Sequence, residues 1–307
     1  MRHFSLGSPD LSPVHSVVPT RDGAKIACEI RGHGEPTVLL SNGIGCHQVF
    51  LQRLIDRLAP TRRVVSWHYR GHGDSPPMDD PGAWSLDMNV DDMAAVLDHV
   101  GATRAVLGGF SMGVQLNLEF YRRFPHRVSG IVNLCGAHES PLRTFLRMGP
   151  VADPAFAGLH AIVRKLPGFA QGFWSVLLGG PWAYRAAGVV IYSAERMSRE
   201  DFAQYQRHFI DIDLNQFLAC LRDLNRHSAR DVLPNVRVPV LVVAGDKDNF
   251  TPLTVSETMH REIPNAELLV VPGGTHAALI EFPELINERV ARFLECHFGL
   301  PETDAAP

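Results

Sequence analysis

Paired cysteines are missing from this sequence. Its five cysteines, Cys28, Cys46, Cys135, Cys220 and Cys296, are odd in number and scattered, with no C-x-x-C and no zinc-type spacing. That argues against a disulfide framework and a structural metal site, and it fits a reduced interior. Long apolar runs are missing as well: no segment holds about eighteen uninterrupted apolar residues, and the first twenty residues lack the apolar region of a secretory signal. The expectation is a cytoplasmic protein with no membrane span. There is no Lys/Arg tract, the net charge is −4 and the pI is near 6.4. Nucleic acid finds no electrostatic footprint in such a chain, and a small or neutral partner is expected instead. Internal repeats and low-complexity segments are absent. Residues 301–307, PETDAAP, read as a mobile tail, and a homo-oligomer is left open.

What is present is the composition of a globular protein, 45% hydrophobic and 20% charged over 307 residues, suited to one large core with an appendage. AKIACEI and PTVLLSNG, separated by a turn-rich RGHGE, read as adjacent strands. HQVFLQRLIDRLAP places Phe50, Leu51, Leu54, Ile55 and Leu58 at helical spacing before Pro60. RRVVSWHY reads as a strand, and SLDMNVDDMAAVLDHVG as a helix capped by Ser85 and ended by Gly101. RAVLGGF, MGVQLNLEFYRRF and RVSGIVNLCGA continue as strand, helix and strand. This alternation predicts an α/β fold with a mostly parallel central sheet flanked by helices.

The rhythm breaks over 138–235, which is helical in character and rich in aromatics, and resumes with VRVPVLVVAGDKD, AELLVVPGG and the amphipathic FPELINERVARFLECHFG. The expected organisation is therefore a discontinuous core, 1–137 and 236–307, with 138–235 inserted as a helical lid.

The stretch LGGFSMGV holds Ser111 between Gly109 and Gly113 at a strand-to-helix junction. Glycines there permit a sharp turn that lifts the hydroxyl above the sheet and aims a helix N-terminus at negative charge forming nearby. A serine hydroxyl needs a base to take its proton, and the base needs a third group to orient it. His276, in VVPGGTHAALIEFPE, lies between the last strand and the last helix, the right topological place among fifteen histidines. LVVAGDKDNFTP offers Asp246 and Asp248. Asp248, farther into the loop, is the expected acid, and Asp246 a turn residue. Glu139 in CGAHES remains a rival. Backbone N–H groups of Met112 and of Ile44, in the glycine-flanked NGIG, are the expected oxyanion donors.

The blocks SNGIG, YRGHGDS, GFSMG, GDKDNFTP and GGTHAALIEFPE occur in the order seen in the α/β-hydrolase superfamily, and the chain resembles that superfamily over about residues 15 to 298. It looks like the single-lid branch of bacterial esterases, enol-lactonases, carbon-carbon bond hydrolases and cofactor-free haloperoxidases. The resemblance implies a Ser-His-Asp mechanism with neither metal nor organic cofactor, acting on a small-molecule ester or lactone of apolar character. Three positions depart from the common pattern: Asn42 where histidine often stands, Val114 where a second glycine often follows, and His68 in place of a frequent aspartate. Ser111 argues against haloalkane dehalogenases and epoxide hydrolases, whose nucleophile is an aspartate. Carbon-carbon hydrolysis, acyl transfer, perhydrolysis and a ligand-sensing receptor on the same scaffold stay open as alternatives.

Lesser signals read as structural. Cys46 is expected as a small buried hydrophobe, His47 as a helix start, and Arg70 and Asp74 as a pair holding their loop. His72 lacks spaced partners for a metal.

Overall fold

The computed structural model describes residues 11–144, 152–180 and 182–300. The expected tail at 301–307 lies outside the described residues. In chain order, β1 (Val14–Pro19), β2 (Lys25–Arg31) and β3 (Val38–Ser41) lead to α1 (Gln52–Leu58) and β4 (Val64–Trp67). Then come α2 (Leu86–His99), β5 (Ala105–Phe110), α3 (Met112–Arg123) and β6 (Val128–Leu134). Helices α4 (Pro141–Thr144), α5 (Ala152–Lys165), α6 (Pro167–Gly179), α7 (Ala183–Val190), α8 (Arg199–Asp211) and α9 (Leu214–Arg226) follow. The described chain closes with β7 (Val240–Gly245), α10 (Leu253–Glu262), β8 (Ala266–Val271), α11 (Ala278–Glu281) and α12 (Pro283–Phe298).

The strands form one eight-stranded sheet in the order β1-β2-β4-β3-β5-β6-β7-β8. β1 and β2 run antiparallel to their neighbours, and every pairing from β4 to β8 is parallel. β3, β4, β5 and β7 are buried at every position, as parallel strands covered on both faces must be. Alternate residues face opposite layers. Leu39, Leu107, Ile131 and Val242 join the core under α2, α3 and α10, whereas Val38, Val106, Val132 and Leu241 join the core under α1 and α12.

One expected neighbour relation is corrected. AKIACEI and PTVLLSNG form β2 and β3, but β4 lies between them, with Val65 opposite Ile30 on one side and beside Leu39 on the other. The β3-α1-β4 crossover returns its strand next to β3, which leaves β2 only the outer edge of β4. β1 escaped the sequence reading because its pattern is mostly exposed.

From β3 the chain steps to β4 on one side and then, through α2, to β5 on the other. Such a reversal opens a crevice beyond the strand ends. Ser41 is registered against Gly109, so the loop after β3 and the turn after β5 start side by side.

Candidate active site

Ser111 occupies the turn between β5 and α3 with φ 53° and ψ −109°. Such a backbone costs a non-glycine residue about 1–3 kcal/mol and persists only where the surroundings hold it. Here its N–H donates to Leu134 O at 2.9 Å and its carbonyl accepts from Val114 N at 3.1 Å. The flanking glycines are required because the turn leaves no room for a side chain. A Cβ on Gly109 would lie 2.3 Å from Gly113 O, and one on Gly113 would lie 2.5 Å from Ser41 O. Backbone therefore meets backbone where β3, β5 and α3 converge.

Two loops from the far side of the sheet reach this turn. His276 Nε2 lies 3.0 Å from Ser111 Oγ, and His276 Nδ1 lies 2.9 Å from Asp248 Oδ2. Both His276 and Asp248 are buried. Asp248 stands between β7 and α10, where Oδ1 accepts from the N–H groups of Phe250 and Thr251 at 2.7 and 2.9 Å, and Oδ2 accepts from the Thr251 hydroxyl at 2.8 Å. These bonds fix the carboxylate against the imidazole. Phe250 stacks on the His276 ring at 5.0 Å. The histidine loop is braced by Glu281, which accepts from Thr275 N at 2.9 Å and from Thr275 Oγ1 at 2.7 Å. Thr251 and Glu281 went unmarked in the sequence, although they sit three residues after Asp248 and five after His276, within the same blocks.

The rival carboxylates lie elsewhere. Asp246 Oδ1 accepts from Gly273 N at 2.7 Å, a turn bond between two loops. Glu139 accepts from Ser228 Oγ at 3.1 Å and approaches Arg230 at 3.8 Å.

The loop after β3 packs on the serine turn. A Cβ on Gly43 would meet the Phe110 ring at 3.1 Å, directly before Ser111. The Ile44 N–H has no acceptor among the described residues, and Met112, first residue of α3, has its N–H outside the helix ladder. Gly45, at φ 69°, donates its N–H to His72 Nε2 at 3.4 Å, and His72 Nδ1 in turn donates to Arg70 O at 3.1 Å. Burial pushes the His72 imidazole down to about 4, so it stays neutral in the tautomer that accepts from Gly45. His72 thus props the Ile44 loop. The sequence offers His72 only as a metal-ligand candidate, and nothing local in YRGHGDS announces a bond to a loop 27 residues upstream.

This arrangement has known counterparts. Residues 36–283 match the sequence profile of the alpha/beta hydrolase fold family. The chain belongs to the alpha/beta hydrolase family. RutD of Azorhizobium caulinodans, named provisionally as a carbamate hydrolase, is 27% identical over 277 residues, covering 88% of this chain and 95% of that protein. Among solved structures, a thermophilic esterase from Thermogutta terrifontis superposes with a TM-score of 0.75 at 22% identity, covering 93% of this chain and 99% of the esterase. Est816, described as an N-acyl homoserine lactone degrading enzyme, does so at 0.69 and 25% identity over 91% of this chain and all of its own.

The remaining residues of these blocks have partners within the fold. Arg70 does not pair with Asp74, as expected, but with Asp92 at 2.7 Å and Asp22 at 2.6 Å. Its side chain turns beneath the loop toward α2, while Asp74 faces solvent beside His68. The guanidinium holds the Asp22 carboxyl well below the usual range. Cys46 is packed as a hydrophobe, and burial pushes its thiol up. His47 precedes a single 3-10 turn, and burial beside His68 and His208 lowers it to about 4. Ligand atoms of His47, His68 and Asp74 come within 4.8 Å of one another, yet His68 Nδ1 already accepts the Asp74 N–H at 2.9 Å. Asn42 receives the Tyr69 hydroxyl on its carbonyl, and Val114 packs against Gly136.

Helices α6, α8 and α9 roof the Ile44 loop. A Cβ on Gly45 would lie 2.4 Å from the Phe209 ring and 3.4 Å from that of Phe217. Phe209 and Phe217 meet edge-on at 5.1 Å, and Trp174 sits 5.1 and 5.6 Å from them. On the serine side, Phe50 stacks on Phe110 at 4.8 Å and meets Tyr205 at 5.4 Å. No described helix is long and apolar enough to cross a membrane.

Proposed function

We propose that the protein is a serine hydrolase that cleaves carboxylic esters or lactones with an apolar portion. The carrying observation is the continuous Ser111-His276-Asp248 hydrogen-bond chain at 3.0 and 2.9 Å, with Ser111 on its left-handed turn. In this reading Ser111 Oγ attacks the carbonyl carbon while His276 Nε2 takes the hydroxyl proton, and Asp248 holds the ring and stabilises its cation. The oxyanion is received by the N–H groups of Ile44 and Met112. Collapse expels the alcohol, which leaves with the proton from His276. Water then attacks the acyl-enzyme, giving its proton to His276, and Ser111 is released with that proton as the acid departs. No step requires a metal or an organic cofactor. Segment 138–235 acts as the lid, its Trp174, Phe209 and Phe217 supplying the apolar wall above the oxyanion loop, since sites of this kind lie between layers.

Similarity to RutD over nearly its whole length favours a second substrate class for the same machinery, a carbamate, whose carbonyl presents the same electrophile.

A series of p-nitrophenyl esters from acetate to long acyl chains, run beside a p-nitrophenyl carbamate and an acyl homoserine lactone, tests the reading. The wild type is expected to cleave at least one ester or lactone, and Ser111→Ala to lose about 10³-fold or more. Full activity in the variant, or no cleavage of any ester or lactone by the wild type, overturns it.

A further inference from the structure

The segment between β6 and β7 carries an outward face that the catalytic reading does not use. On α5, Leu159 and Ile162 are exposed, as is Leu166 between α5 and α6, although Val163 among them is buried. On α6, Phe169, Phe173 and Val176 continue the stripe, with Phe169 76% and Val176 66% exposed. The opposite side of α6 is already engaged. Ala170 and Trp174 pack inward, and Gln171 donates to the carbonyls of Ile210 and Ile212 at 3.3 and 3.2 Å and accepts from Leu214 N at 2.8 Å. A helix apolar on every side is not at home with one face in water.

Charge says what covers it. Along the stripe itself, from Leu159 to Val176, there is no aspartate or glutamate, and the charges are Arg164 and Lys165, both exposed, in a chain whose net charge is −4; Asp153, at the start of α5, and Glu195 lie beyond its ends. An apolar stripe with aromatic residues, rimmed by cations alone, suits an interface that is apolar beneath and anionic on top. A second copy of the chain suits it less. A two-fold contact through the stripe would bring both sets of cations together, and between Leu159 and Val176 there is no carboxylate to answer them.

We propose that the α5–α6 face docks on an anionic lipid surface, lying in the plane of the interface with Phe169 and Phe173 inserted among the acyl chains. Trp174, on the inward side of α6, contacts the Phe209 and Phe217 rings that sit on the Ile44 loop. Docking therefore brings the roof of the candidate site to the lipid, where apolar esters concentrate. This last step rests on the proposed chemistry, whereas docking does not.

Sedimentation of the full chain with vesicles tests it, one set of phosphatidylcholine alone and one equimolar with phosphatidylglycerol. The mixed vesicles are expected to bind about tenfold or more tightly than the neutral ones. Arg164→Gln with Lys165→Gln should weaken that binding roughly fivefold per cation, and Phe169→Ser with Phe173→Ser should abolish it. Both double variants should hydrolyse water-soluble p-nitrophenyl acetate at the wild-type rate, which shows that they fold. Absence of binding to either vesicle overturns the proposal, as does undiminished binding by the Phe169/Phe173 variant. Self-association through the stripe, seen in sedimentation equilibrium without vesicle binding, also overturns it. Vesicle binding by a wild type that cleaves no ester or lactone would leave docking in place and remove the proposed chemistry.

Discussion

Every residue of β5 and β7 is buried, whereas α6, with three aromatics among thirteen residues, has none that is fully buried. The two regions use apolar residues for different ends. In the sheet they close both faces and fix the ends of β5, β7 and β8, from which Ser111, Asp248 and His276 extend into one hydrogen-bond chain. In the helical segment they face two ways, inward onto the Ile44 loop and outward to the surface. On the proposed reading, reaction geometry belongs to the first region, and substrate choice and surface contact to the second.

The sharpest way to break that division is to move the acid. Asp248→Asn should lower kcat on a cleavable ester by about 10⁴-fold, while Glu139→Gln, at the entrance to the helical segment, and Asp246→Asn stay within severalfold of the wild type. A comparable loss in Glu139→Gln would place part of the reaction machinery outside the sheet. Next in size is Gly113→Ala. Its new Cβ would lie 2.5 Å from Ser41 O, a backbone atom of a buried strand that cannot swing away. A cost of about 3 kcal/mol is expected, seen as a Tm lowered by roughly 4 to 6 °C.

Legibility in the sequence follows the same division. Buried parallel strands announce themselves as apolar runs, and Ser111, Asp248 and His276 each follow such a run, so their meeting could be foreseen from chain order. Sheet order was less legible: the place of β4 between β2 and β3 depends on a crossover that pattern alone does not reveal. Supports built from distant residues were not legible, because His72 beneath Gly45 and Arg70 between Asp22 and Asp92 are pairings across the fold. For 138–235 the sequence indicated helices and aromatics but not their facing, since a helix apolar all round has no pattern from which to choose a side.

Acid should probe the two regions unequally. His72 lies wholly in the core and is pushed down to about 4 by burial. Between that value and an unfolded value of about 6.5, the unfolded chain binds the extra proton, so stability rises with pH. The contribution is intact above about 6.5 and is lost as pH falls toward 4, by at most about 1.4 kcal/mol per pH unit. Thermal melts from pH 7 to 5 should show this slope, and His72→Gln should flatten it. His47, lowered to about 4 but only partly buried and stacked on His208 of α8 at 3.9 Å, should show a smaller effect in His47→Asn because solvent screens its charge.

The smallest change expected is a gain. Gly158 lies within α5 and Gly172 within α6, neither in a left-handed conformation, and a Cβ on either would meet nothing within 4 Å. Alanine there removes unfolded-state freedom without a clash, so Gly158→Ala and Gly172→Ala should each raise stability by about 0.5–1 kcal/mol, read as a small rise in Tm. The contrast with Gly113→Ala is the point of the pair: the same added methyl destabilises where backbones touch and stabilises where a helix stands open. A loss of stability at Gly172 would mean that α6 is held closer to its neighbours than its exposure suggests, and its outward face would then belong to the core side of the comparison.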